Sequence, residues 1–149
     1  MIKSSTILAM ASDHGGYALK TFLKEKLEKA GYTIIDFGTD SEESVDYPDM
    51  IHPLASAINK GELERGIIFC GSGNGAQMTA NKYPNVRAGL CWDVEQAKLT
   101  RQHNDANVLS LPGRFVTFEE GWEIADTFLN TPFEGGRHLA RVNKINQLI

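Results

Sequence analysis

The sequence predicts a three-layer α/β/α sandwich on a five-stranded parallel sheet. Short apolar runs alternate with longer amphipathic stretches about five times along 149 residues, a pattern that implies doubly wound connections with right-handed crossovers. The apolar runs are continuous, as in Ile67-Ile68-Phe69, which suits strands covered on both faces. Glycines mark many of the joins, as turn punctuation should.

The elements follow in order. Thr6 to Ser12 reads as a buried strand, broken by Asp13-His14-Gly15-Gly16. From Tyr17 to Ala30, Leu19, Phe22, Leu23 and Leu27 fall at helical spacing with lysines between them. Gly31 stands where a helix ends. Thr33 to Phe37 is the second strand, and Gly38 to Asp49 a polar loop closed by Pro48. Met50 to Asn59 is a helix, Gly66 to Cys70 the third strand, and Ala76 to Lys82 the next helix. Val86 to Cys91 is strand four, and Asp93 to Gln102 a helix with Asp93 as its N-cap. Asn107 to Leu111 is strand five, Phe118 to Leu129 a helix, and a last helix runs near Arg137 to Leu148. No repeat, low-complexity tract or long linker interrupts the chain, so residues 1–149 are expected to form one domain.

Composition narrows the classes. Fifteen Lys plus Arg against 19 Asp plus Glu give a net charge of -4. Such a chain has no global pull toward nucleic acid or anionic membranes. Any anion site must be local. No apolar run approaches the ~20 residues that span a bilayer. Cys70 and Cys91 lack the spacing of a zinc or dithiol site; no metal or cofactor is expected. Two cysteines suit a reducing, cytoplasmic setting. Lys3, Ile7 and Leu8 before Ala9-Met10-Ala11 mimic an export signal, but the apolar stretch is too short and contains Ser4, Ser5 and Thr6.

In doubly wound sheets ligands bind beyond the carboxyl ends of the strands. The first candidate there is Cys70-Gly71-Ser72-Gly73-Asn74-Gly75. Its three glycines let backbone N–H groups turn inward as an anion nest, and a thiolate is favoured beside such donors. A buried cysteine closing a strand before a tight turn would share this composition. The loop ends Gly75-Ala76-Gln77, which is no P-loop. The Rossmann glycine fingerprint is absent after strand one. Ala76 to Thr79 holds no arginine of the kind a cysteine phosphatase uses to clamp phosphate.

Asp13 either orients His14 or caps the first helix. Arg101 to Asn107 places His103 and Asn104 among amides and carboxylates, which suits proton transfer near neutral pH or a plain polar turn. That segment belongs at the amino end of strand five, the wrong edge unless it reaches a neighbouring subunit. Arg137 and Arg141 are four apart and share a helix face, either to grip an anion or to face solvent. Arg114 follows strand five and is a further anion contact. His52 is a surface or core residue, Cys91 a small core residue, and Trp92 and Trp122 packing residues.

Together these motifs resemble the type B ribose-5-phosphate isomerases, within the sugar-phosphate isomerase family that includes galactose-6-phosphate isomerase subunits. The resemblance rests on Ser12-Asp13-His14-Gly15-Gly16, Asp46-Tyr47-Pro48, Cys70 to Gly75, Ala80-Asn81-Lys82, Arg101 to Asp105, and Glu134-Gly135-Gly136-Arg137-His138 with Arg141. It implies a Rossmann-like fold and the pentose-phosphate interconversion of ribose 5-phosphate and ribulose 5-phosphate, with six-carbon aldose 6-phosphates as alternatives. Cys70 is then the base that moves a proton between C1 and C2, His103 the ring-opening acid and Asp13 its basic counterpart. Ser72 and the backbone of Gly71, Gly73, Asn74 and Gly75 face the sugar oxygens. Asn104, His14, Arg114, Arg137 and Arg141 bind substrate and phosphate. A branch of the family carries a glutamate base where this chain has Ala76, so the resemblance is to the cysteine branch. It further implies a homodimer or dimer of dimers with shared sites, the last helix (about 136–149) touching the partner. Its rivals are a non-catalytic sugar-phosphate or nucleotide binder and a cysteine-nucleophile hydrolase.

Overall fold

Strands β1 (Ile7–Ser12), β2 (Thr33–Asp36), β3 (Gly66–Cys70), β4 (Ala88–Leu90) and β5 (Val108–Pro112) form one sheet in the order β2-β1-β3-β5-β4 in the computed structural model. Every pairing is parallel. The structure describes residues 6–147. Lys3, Ser4 and Ser5 of the signal-like start, and Leu148 and Ile149 of the expected last helix, lie outside that range. The chain steps from β1 outward to β2, then returns past β1 to β3. The carboxyl ends of β1 and β3 therefore flank the crevice where ligands bind in such sheets.

Side chains alternate between the two faces. Leu8, Met10, Ile67, Phe69, Leu109 and Leu111 pack under α1 (Tyr17–Lys29), α4 (Val94–Asn104) and α5 (Phe118–Asn130). Ala9, Ala11, Ile68, Cys70 and Val108 pack under α2 (Tyr47–Asn59) and α3 (Asn74–Ala80). Each fully buried Leu, Ile or Phe contributes about 1.5–3 kcal/mol. The continuous apolar strands are the central ones. Edge strand β2 reads Thr-Ile-Ile-Asp and is mostly exposed.

The helix boundaries have local causes. Asp93 accepts from the Gln96 N–H at 2.8 Å and starts α4. Thr117 and Glu120 form a reciprocal capping box on α5. Gly31, at φ +99°, follows α1 in the left-handed region.

Several boundaries differ from the sequence expectation. Helix α2 begins at Tyr47, with Pro48 in its first turn rather than closing the loop, where proline loses no intrahelical hydrogen bond. Helix α3 begins at Asn74, inside the glycine loop. Helix α4 runs to Asn104, so His103 and Asn104 lie on its last turn. Asp105, at φ 48°, ends it in the left-handed conformation that aspartate tolerates. The last helix, expected over about 136–149, is α6 (Arg137–Lys144) and stops early. The Asn146 side chain turns back onto Pro84 O beyond it. Trp92, expected to pack, is exposed, whereas Trp122 and Cys91 join the core. His52 lies on the surface and pairs with the Tyr83 hydroxyl at 2.8 Å. No helix among the described residues is long and apolar enough to cross a membrane.

Candidate active site

Three loops interlock at the carboxyl edge, following β1, β3 and β5. Gly113 N–H donates to Cys70 O at 2.9 Å, and Arg114 N–H donates to Gly71 O at 3.0 Å. A Cβ on Gly113 would lie 2.7 Å from Gly15 O, and one on Gly15 would lie 3.1 Å from Gly71 N. Backbone meets backbone here, so side chains have no room at these points.

The Cys70 loop is folded around its own sulfur. Gly73 N–H donates to Cys70 Sγ at 3.1 Å. Gly73 adopts φ +77°, and the buried Ser110 hydroxyl donates to Gly73 O at 2.8 Å, fixing the turn. An N–H aimed at sulfur stabilises negative charge there. Cys91 meets the opposite surroundings. Its sulfur faces Gly89 O at 3.8 Å, and burial, then the charge of Asp93, pushes its thiol up to about 12. The two buried cysteines are thus chemically distinct.

Around the sulfur stand the other carboxyl-edge residues. Asp13 is buried, and its Oδ1 accepts from Gly16 N–H at 3.2 Å. It shapes the turn into α1 rather than occupying the N-cap, which is Gly16. His14 Nδ1 accepts from Val45 N–H at 3.2 Å, which ties the 38–46 loop to the site. Ser72 is exposed and its Oγ accepts from Asn74 N–H at 3.3 Å. The Arg114 guanidinium lies over Gly71, Nη1 being 3.1 Å from where a Cβ would stand. Ala76, fully buried in α3, offers no carboxylate.

The remaining candidates gather at the opposite edge. Helix α4 runs back along the sheet, and its C-terminal end lies where Arg87, just before β4, bonds Asn104 O and Asp105 O. His103, Asn104, Arg137 and Arg141 stand there with α6. Within one chain the structure brings Cys70, Asp13, His14, Ser72 and Arg114 together and holds the second group apart. A recess of about 540 Å³ opens beside the second group, between α3, edge strand β4 and α6, with Asn104, Gln77 and Ile145 in its lining.

The sequence reading gave no role to four features. The Tyr47 ring covers Gly75, whose added Cβ would sit 2.5 Å from Tyr47 Cζ. Lys20, fully buried, donates to Asp36 Oδ1 at 2.7 Å and Thr39 O at 2.6 Å. Its spacing with Leu23 and Leu27 on the apolar stripe of α1 is the signal that marks it as buried. His138 stacks on His103, and Glu134 lies beside His138. Among the described residues His103, Glu134 and His138 alone bring three possible metal-ligand atoms within 4.8 Å of one another. The imidazole planes are only 13° from parallel. Their in-plane lone pairs run side by side rather than toward one ion, so the arrangement is an imidazole pair rather than a prepared tetrahedral site.

Comparison with known proteins bears on the whole chain. Residues 8–145 match the family model described as Ribose/Galactose Isomerase. The chain is 40% identical over 141 residues to ribose-5-phosphate isomerase B of Escherichia coli, covering 95% of each protein. It superposes on ribose-5-phosphate isomerase B of Clostridium thermocellum with a TM-score of 0.93 at 47% identity, covering 95% of both chains. The Mycoplasma genitalium enzyme, solved with bound ribulose 5-phosphate, gives a TM-score of 0.90 at 40% identity, over 95% of this chain and 94% of that one.

Proposed function

The chain belongs to the ribose/galactose isomerase family, and from that premise we propose that it interconverts ribose 5-phosphate and ribulose 5-phosphate through an enediolate. One observation carries the assignment of the base. The Cys70 sulfur sits in a glycine nest with an N–H at 3.1 Å, beside Asp13, His14 and Arg114.

The ring form binds first. His103 gives a proton to the ring oxygen while Asp13 takes one from the anomeric hydroxyl, and the sugar opens to the aldehyde. Cys70, as thiolate, removes the proton from C2. Negative charge moves onto the sugar oxygens, where Ser72 and the N–H groups of Gly71, Gly73, Asn74 and Gly75 receive it. Each preorganised donor of this kind can contribute about 3–4 kcal/mol. Cys70 then returns the proton to C1 while the O2 proton passes to O1, and the ketose leaves. Hydrogen is only redistributed within one molecule, so the reaction needs no external oxidant, and we infer that no cofactor takes part.

His103, Asn104, Arg137 and Arg141 lie at the wrong edge for their own Cys70. A second copy supplies them, in a homodimer or dimer of dimers. The exposed apolar Met78, Leu139 and Ile145 around the β4 recess support an interface there, with the 136–149 segment against the partner. Arg114 and His14 from one chain and Arg137 and Arg141 from the other hold the phosphate and substrate. Residues 1–149 act as one isomerase domain. Two free cysteines suit a cytoplasmic enzyme.

A coupled assay tests the substrate. Ribose 5-phosphate is expected to turn over faster than allose 6-phosphate or galactose 6-phosphate. Turnover of a hexose phosphate alone reassigns the substrate, and turnover of none overturns the activity. A covalent adduct trapped on Cys70 would favour hydrolysis instead.

A further inference from the structure

His138 and His103 lie face to face, their ring centroids 4.2 Å apart. His138 is the buried residue of α6, while Arg137 and Arg141 around it are exposed. Its Nε2 is 3.4 Å from Glu134 Oε2, and its backbone N–H donates to Gly135 O at 3.0 Å. Glu134 is tied to α4 in turn, its backbone N–H donating to Gln102 O at 3.1 Å. Segment 134–138 therefore clasps the last turn of α4 and lays one imidazole flat on the other.

We propose that His138 is a positioning residue for His103, holding its ring in one orientation and confining the stacked pair to a single proton; this rests on the assignment of His103 as the ring-opening acid. Two charged imidazoles at this separation repel, whereas one charged and one neutral ring do not. The charged groups acting on His138 are Glu134 from the preceding loop and Arg137 and Arg141 from α6. Burial first, then His103 and Arg137, lower the proton affinity of His138 against the pull of Glu134. A held ring presents its proton along one line, and orientation of this kind governs the rate of proton transfer.

The test compares the full-length wild-type chain with His138→Phe and His138→Asn. Phenylalanine keeps the flat face and removes the second titrating ring; asparagine removes both. In the resting protein without substrate, the His103 Cε1 proton is followed by NMR against pH. The wild type is expected to show two coupled steps and H138F a single one. For ribose 5-phosphate, H138F retains kcat within about threefold, whereas H138N loses about 10- to 100-fold in kcat with KM nearly unchanged. Identical His103 titrations in the wild type and H138F overturn the proposal. So does a raised KM at unchanged kcat in H138N, which would make His138 a phosphate contact. Thermal melting checks each fold, and if H138N unfolds the H138F titration decides. A wild type inactive on every sugar phosphate would refute the activity assignment, while the titration still decides the pairing.

Discussion

Gly73 donates its backbone N–H to Cys70 Sγ at 3.1 Å, from a residue held at φ +77°. A Cβ on Gly73 would stand 2.5 Å from Leu90 Cδ1 and 3.2 Å from the Leu111 carbonyl carbon. Gly73→Ala therefore carries left-handed strain and overpacking together, about 2–4 kcal/mol in all. Displacing the turn also withdraws donors from the sulfur and the sugar oxygens. Chemical denaturation is expected to show that loss of stability, and kcat to fall by at least about 100-fold. A stable G73A with wild-type turnover would contradict the nest.

Cys91 offers a control. Its thiol, pushed up to about 12 by burial and Asp93, stays protonated at working pH and faces a carbonyl. Cys91→Ala should leave kcat and its pH profile unchanged while costing about 1 kcal/mol of stability. A large fall in kcat with the fold intact would mean that the catalytic sulfur has been misassigned.

Shared sites predict complementation. Cys70→Ala and His103→Asn chains are each expected to be inactive alone. When they are mixed and reassembled, half of the dimers pair unlike chains. Each such dimer rebuilds one intact site from Cys70 of one chain and His103 of the other. Recovery should approach about a quarter of wild-type activity if the assembly is a two-fold dimer. No recovery, with mixed dimers shown by mass spectrometry, would place both groups in sites within one chain.

Lys20 anchors the end of β2. Burial works to raise the Asp36 pKa, but hydrogen bonds from Lys20 and Gly38 outweigh it and hold the carboxyl below its ordinary 3.8. For Lys20 itself burial outweighs the pull of Asp36 and lowers its pKa. Lys20→Met leaves Thr39 O without its donor and Asp36 with only Lys24, at 3.2 Å, as a cationic partner. A loss of about 1–3 kcal/mol is expected at neutral pH. A depressed carboxylate pKa stabilises the fold above the unfolded value, and that contribution is lost as pH falls through the folded one. The gap between wild type and K20M should therefore be full above about pH 5 and narrow below 3.8. A gap constant down to pH 2 would contradict the role of Asp36.

Much of this was legible in the residues. Ile67-Ile68-Phe69 reads as a doubly covered strand because parallel strands are buried on both faces, and β3 is buried throughout. Cys70 beside Gly71, Gly73 and Gly75 reads as a nest because glycine adopts such turns most readily, and Gly73 does so at φ +77°. The β4 boundaries were not legible, since an edge strand ends where pairing with β5 ends, at Leu90. The separation of His103 from Cys70 was legible, because a segment leading into strand five lies at the amino edge of the sheet; the extension of α4 through His103 to Asn104 was not. The stacking of His138 on His103 joins residues far apart in sequence, and no local pattern encodes it. Lys20 was hidden by its charge, although its helical spacing places it on the buried stripe.

The most direct test of the account is hydrogen exchange at carbon by Cys70→Ala in deuterated water, with ribose 5-phosphate and binding measured in parallel. The wild type is expected to wash solvent deuterium into the sugar at C1 and C2, and C70A to bind the sugar nearly as well yet exchange at least about 1,000-fold more slowly. Exchange at close to the wild-type rate in C70A would contradict it, and some other group would then be the base.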